Sequence, residues 1–270
     1  MLALLLACND YDLEAKVEPT KEEPGDTAEE PVVDTGDEPV DTGSDDTGTG
    51  EIPEDDPEIA TEAIYINTGS TLYGYDPATN TASTVGSFML GGVRVTDMTD
   101  IAIDLTGRMY GVAYDELYRV TPATAAVTHV ATLDASYNAL TFVSDGTLVA
   151  AGDSQVVAVD TSTGRTTRIG RNDYTSSGDI VGLPDGYLYW SVQGGGSDDL
   201  VRIDPSTGTA TRLGAIGSSG VYALGYAYGS LYGFTSGNEA IVIDATTGRT
   251  TSSSRLTGSW WGATTNPVLW

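Results

Sequence analysis

From residue 61 onward, apolar and polar residues alternate over short runs, and each run stops at a turn. A period of two predicts half-buried β-strands, and we read no helix in this stretch. One strand-and-turn pattern recurs five times: Leu72-Tyr-Gly-Tyr-Asp76-Pro-Ala-Thr79-Asn80, Leu117-Tyr-Arg-Val-Thr121-Pro-Ala-Thr124-Ala125, Val156-Val-Ala-Val-Asp160-Thr-Ser-Thr163-Gly164, Leu200-Val-Arg-Ile-Asp204-Pro-Ser-Thr207-Gly208 and Ala240-Ile-Val-Ile-Asp244-Ala-Thr-Thr247-Gly248. Asp at the strand end accepts backbone hydrogen bonds two residues on, Pro presets φ, and Gly or Asn takes a left-handed position before the chain returns. The repeated Asp and Thr are therefore read as structural.

The turns at 76, 121, 160, 204 and 244 are separated by 45, 39, 44 and 40 residues. That is close to the period of a four-stranded propeller blade. In the second unit the expected strands are 100–104, 108–113, 117–120 and 126–132. Inner strands such as Ile101-Ala-Ile and Ala139-Leu-Thr-Phe142 are small and apolar, as a crowded axis requires. Residues 63–87 supply only three strands, and Trp260–Thr265 reads as an orphan inner strand. The expectation is an all-β fold: a single five-bladed β-propeller of four-stranded blades over residues 61–270, closed by the C-terminal strand, which leaves no free sheet edge.

Composition changes sharply before residue 61. Residues 9–60 hold 20 acidic residues against two lysines, in a chain of 270 residues with net charge −27. With almost no large apolar side chains, residues 8–60 are expected to form a disordered, self-repelling acidic stalk. The last lysine is Lys21. The clustered Lys and Arg that nucleic acid demands are missing, so nucleic acid is set aside as a partner. Val40-Asp41-Thr42-Gly43-Ser44 matches the active-site motif of aspartic proteases in letters, but it sits in low-complexity sequence without flanking strands and is read as linker. One cysteine excludes an internal disulfide, and one histidine, His129, excludes a multi-histidine metal site within the chain.

Leu5-Leu6-Ala7-Cys8 resembles a bacterial lipobox, in which residues 1–7 are a signal segment cleaved before a lipidated Cys8. The run is shorter than a signal peptide needs and has no basic residue, so the true start is expected upstream. Asn9 differs from the aspartate that retains many such proteins in the inner membrane. The resemblance implies a lipid-anchored outer-membrane protein exposed at the cell surface. The repeats, Asp204–Gly208 above all, resemble those of extracytoplasmic bacterial propellers in the YVTN / quinoprotein-amine-dehydrogenase-like group. That implies a fold and little about activity.

Candidate chemistry gathers where inner strands open, at the funnel mouth. Tyr137, Arg171, Tyr222, Trp260 and Trp261 are the expected ligand-binding residues, with aromatic platforms suited to a glycan, peptide or protein. Asp100, Asn138 and Asp179 supply hard oxygens that could hold calcium, the one cofactor the residues suggest; this set is similar to the metal ring of gluconolactonase-like propellers, which have six blades and further ligands. No catalytic residue is assigned. Three readings stand open: a monomeric, non-enzymatic binding or adhesion module, a calcium-dependent lactonase-like hydrolase, and a subunit of an envelope assembly.

Overall fold

A computed structural model describes residues 56–270, without the side chain of Arg171. The expected signal segment, the lipidated Cys8 and most of the stalk lie outside the described residues. The described chain is a five-bladed β-propeller. Blade I comprises β1 (Ile64–Thr68), β2 (Thr71–Asp76) and β3 (Thr81–Ser87), with β21 (Gly262–Thr265) as its innermost strand. Blade II holds β6 (Asp100–Ile103), β7 (Met109–Val120) and β8 (Ala126–Tyr137). Blade III runs β9 (Ala139–Phe142), β10 (Leu148–Gly152), β11 (Gln155–Val159) and β12 (Thr166–Arg171). Blade IV is β13 (Ser176–Gly182), β14 (Leu188–Val192), β15 (Asp199–Ile203) and β16 (Ala210–Ala215). Blade V is β17 (Val221–Ala227), β18 (Ser230–Thr235), β19 (Glu239–Ile243) and β20 (Thr250–Arg255).

The expected closure is observed. Ile64–Asn67 of β1 pairs antiparallel with Gly262–Thr265 of β21, so blade I is assembled from both ends of the described chain. In blade II, β7 provides both middle strands: Met109–Val112 pairs with β6, and Tyr114–Val120 pairs with β8. A small hairpin, β4 (Met89–Leu90) and β5 (Val93–Arg94), extends the outer edge of blade II, with β4 parallel to β8. It occupies the longest of the four repeat intervals and was not expected. Residues 56–60, assigned to the stalk by composition, pack on the propeller: the Ala60 amide donates to Gly107 O at 2.8 Å and Asn266 Nδ2 donates to Ala60 O at 3.0 Å.

The repeated turns behave as their letters require. Asp76, Asp160, Asp204 and Asp244 each accept a backbone amide two residues on. The last turn residue is left-handed in all five copies, at Asn80, Ala125, Gly164, Gly208 and Gly248. Ala125 is the departure from pattern, held there while its methyl is buried between blades I and II.

The core is divided. Alternating side chains from facing blades fill each gap separately, so five apolar clusters replace one. Leu72, Phe88 and Met98 pack between blades I and II, and Leu117, Leu140 and Phe142 between II and III. Val149 and Trp190 fill the next gap, Leu200 and Leu224 the fourth, and Ile64, Phe234 and Trp260 the last.

Inner strands have an edge that no strand of their own sheet covers, and buried amides there need acceptors. Side chains of the neighbouring blade supply them. Ile103 N donates to Thr264 Oγ1 (3.1 Å), Leu140 N to Asp100 Oδ2 (2.6 Å), Gly182 N to Thr141 Oγ1 (2.9 Å), Leu224 N to Asp179 Oδ2 (2.7 Å) and Tyr226 N to Thr265 Oγ1 (2.7 Å). These five bonds bridge every pair of adjacent blades. Replacing Thr264 with Val keeps the shape but strands the buried Ile103 amide. We expect a loss of about 1–3 kcal/mol and a melting temperature lower by several degrees. Unchanged thermal unfolding of Thr264→Val by calorimetry would remove the ring its structural role.

Candidate functional site

Inner strands set the site by register. One residue from each blade lines a cavity of about 360 Å³ at the axial mouth: Thr99, Asn138, Gly178, Tyr222 and Trp261, joined by Tyr114 and Ser177. The next residue along each strand forms the layer beneath: Asp100, Ala139, Asp179, Ala223 and Gly262. The three small residues leave the axis to the two carboxyls, which come from non-adjacent blades and interact electrostatically.

Three aromatic rings line the mouth and remain exposed: Tyr114 (45%), Tyr222 (39%) and Trp261 (37%). The Trp261 amide donates to Asn67 O at 2.8 Å, and its ring covers Gly69, where a Cβ would stand 3.1 Å from the indole. Gly178 is equally constrained, since a Cβ there would meet Tyr222 Cα at 2.4 Å. Tyr114 holds a left-handed backbone, φ 55°, which is costly for an aromatic residue and is the kind of outlier found at functional sites. Among the described residues, no charged side chain lines this cavity.

The expected residues separate. Tyr222, Trp261 and Asn138 line the mouth. Trp260 and Tyr137 are buried within the blades. Successive strand residues face opposite sides, so of two adjacent tryptophans one turns inward: Trp260 packs edge-on against Tyr73 at 5.3 Å and donates to Leu256 O. Tyr137 donates to Asp134 Oδ1 at 3.0 Å and fills the gap between blades II and III. Arg171 ends β12, and its side chain is outside the described residues. Asp100 and Asp179 sit one layer below Asn138 rather than beside it. Tyr114, Thr99, Ser177 and Asn67 were not singled out from sequence. The register would have given Thr99, whereas nothing in the pattern marks Tyr114 or Asn67.

Asp100 and Asp179 are fully buried. Asp100 accepts from Ile101 N at 2.8 Å as well as from Leu140, and Asp179 accepts from Ala263 N at 3.2 Å as well as from Leu224. Burial is the main force raising both carboxyls. Asp100 lies well above the usual range, with the Asp179 charge adding to desolvation. Asp179 is pushed up to about 7 by burial, against the opposing bonds from Asp100, Leu224 and Ala263. The two carboxyls titrate as a pair.

Residues 131–253 match a family described as a repeat of unknown function, DUF6923. No curated protein matches the chain. Among solved structures, the chain is similar to hydrazine synthase of Kuenenia stuttgartiensis, at 19% identity and a TM-score of 0.44 over 59% of this chain. The match spans 49% of that chain, about half its length. A protein of unknown function from Bacteroides caccae aligns at 10% identity and TM-score 0.46, over 71% of this chain and 72% of that one. BamB from Moraxella catarrhalis aligns at 15% identity and TM-score 0.37, over 73% of this chain and 71% of that one.

The titration of the acid pair sets the sign of a pH dependence. A carboxyl whose folded pKa is raised adds stability that is full below its unfolded value, about 4, and is lost as pH climbs through the folded value near 7. The turn carboxylates act oppositely: hydrogen bonds from the Ser162 hydroxyl and amide lower Asp160 to about 2, so its contribution is lost only as pH falls from about 4 towards that value. In metal-free buffer, melting temperature should peak near pH 4–5 and decline towards pH 8. Asp179→Asn should flatten that decline. A melting temperature that rises between pH 5 and 7 would show that the pair does not hold its proton.

Proposed function

We propose that this chain is a surface-displayed, non-enzymatic binding module whose ligand seats in the axial mouth. The observation that carries the reading is the cavity itself. Three exposed aromatic rings converge from blades I, II and V on a cavity of about 360 Å³ that also presents Asn138, Ser177 and Thr99. Apolar walls with a few placed polar groups are the general form of a small-ligand site. The described lining, aromatic rings with an amide and hydroxyls, suits a neutral ligand. Flat rings beside amide and hydroxyl groups fit an oligosaccharide best, with C–H faces stacked on Tyr222 and Trp261 and sugar hydroxyls paired to Asn138 and Ser177.

Display at the surface follows from the lipobox-like Leu5-Leu6-Ala7-Cys8 and the acidic spacer after it. In this reading Cys8 carries the lipid, residues 9–55 span the gap from the outer membrane, and the propeller faces outward as a monomer. The repeats keep their likeness to the YVTN / quinoprotein-amine-dehydrogenase-like propellers.

A panel of neutral oligosaccharides titrated against the full chain, read by tryptophan fluorescence, tests the ligand. Trp261→Ala and Tyr222→Ala should each weaken binding about 10- to 30-fold, the loss typical of an aromatic anchor in an interface. Equal affinity in both variants would move the site away from the mouth, and silence across the panel would favour a peptide or protein ligand. For the anchor, the chain expressed in its native host should partition into detergent, and Cys8→Ser should leave it in the aqueous phase.

A further inference from the structure

The layer beneath the mouth holds negative charge that no basic group offsets. Asp100 and Asp179 are both 0% exposed, and among the described residues no salt bridge reaches either. Backbone amides satisfy both oxygens of Asp100 and one of Asp179. Three buried oxygens around this layer have no hydrogen-bond donor: Asp179 Oδ1, Asn67 Oδ1 and Asn138 Oδ1.

Asn67 is the independent witness. It comes from β1, not from an inner strand, and is 0% exposed. Its Nδ2 donates to Met98 O at 3.0 Å and Thr68 O at 3.1 Å. Flipping the amide would set oxygen against two carbonyls, so Oδ1 is fixed where it points. It points at the acid layer: a Cβ on Gly262 would stand 2.2 Å from Asp100 Oδ1 and 2.8 Å from Asn67 Oδ1. The missing side chain of Gly262 leaves the two oxygens facing one small space.

Among the described residues, the buried side-chain atoms without a partner are all oxygen acceptors. A single water has two hydrogens for three orphan oxygens and leaves the charge unchanged. A hard divalent cation takes carboxylate and amide oxygens at about 2.3–2.6 Å and answers both needs. We propose that the floor of the axial cavity binds one calcium-class cation, with Asp100, Asp179 and Asn67 as its ligands and Asn138 Oδ1 meeting it from the layer above.

The test uses the full chain, stripped with EDTA and returned to metal-free buffer. Calcium alone is the probe, read by titration calorimetry and by melting temperature at millimolar calcium. One tight site per chain is expected, with a melting temperature higher by several degrees, since a cation bound only to the folded state stabilises it. The acidic residues 9–60 can add weak, multiple binding, so two variants isolate the site. Asp179→Asn should abolish the tight phase and leave the weak one. Asn67→Ala, which removes one neutral ligand and is the fallback if the aspartate variant fails to fold, should weaken the tight phase at least tenfold. No tight calcium phase in the wild type, or the same phase in both variants, overturns the proposal.

Discussion

The innermost strand of each blade has one edge without a partner strand, and the fold exists because neighbouring blades satisfy it. Thr264, Asp100, Thr141, Asp179 and Thr265 each accept an amide from the next blade. A blade alone would expose those amides and one face of its apolar cluster, so neither the hydrogen bonds nor the core is complete until blades meet. The ring is polar because backbone groups are polar.

That constraint also explains why chemistry accumulates at the axis. Thr satisfies an edge amide with a neutral hydroxyl, as in blades I and III. Blades II and IV use aspartate for the same task, which brings charge into a place water does not reach. Buried charge is costly unless it is paired, protonated or bound to a metal. Two carboxyls share the axis with Ala139, Ala223 and Gly262, where threonine would have satisfied the same amides without charge. Above Ala139, Ala223 and Gly262 the same strands present Asn138, Tyr222 and Trp261, which line the mouth.

Much of this was legible in the chain. Five turn motifs gave blade number and order because their chemistry is mostly local: in four of them Asp accepts an amide two residues on, and Asn or Gly takes the left-handed position. Closure by Gly262–Thr265 was legible from a missing strand at one end and a spare one at the other. The site was only partly legible. Asp100, Asp179, Tyr222 and Trp261 sit on the axis because inner strands always do, yet their depth depends on a one-residue register that alternation alone leaves open. Trp260 and Trp261 are indistinguishable by type; pairing with β1 decides which one turns inward. Tyr114 reaches the mouth through a left-handed turn inside β7, and Asn67 reaches the layer beneath it by pairing with Gly262. Neither carries a local signature.

Pairing of β1 with β21 has a kinetic consequence. The contact joins residues separated by roughly 200 positions, and the entropy of closing such a loop falls on a single late event. During synthesis, blades II to V leave the ribosome before the strand that completes blade I exists. Until then β1 offers an unpaired edge to any other chain, and Thr264 and Thr265 are not yet present to accept amides from blades II and V. Such topology folds slowly and is exposed to misassembly on the way. Selection on this sequence therefore acts on how long an open ring can wait as well as on how firmly a closed one holds.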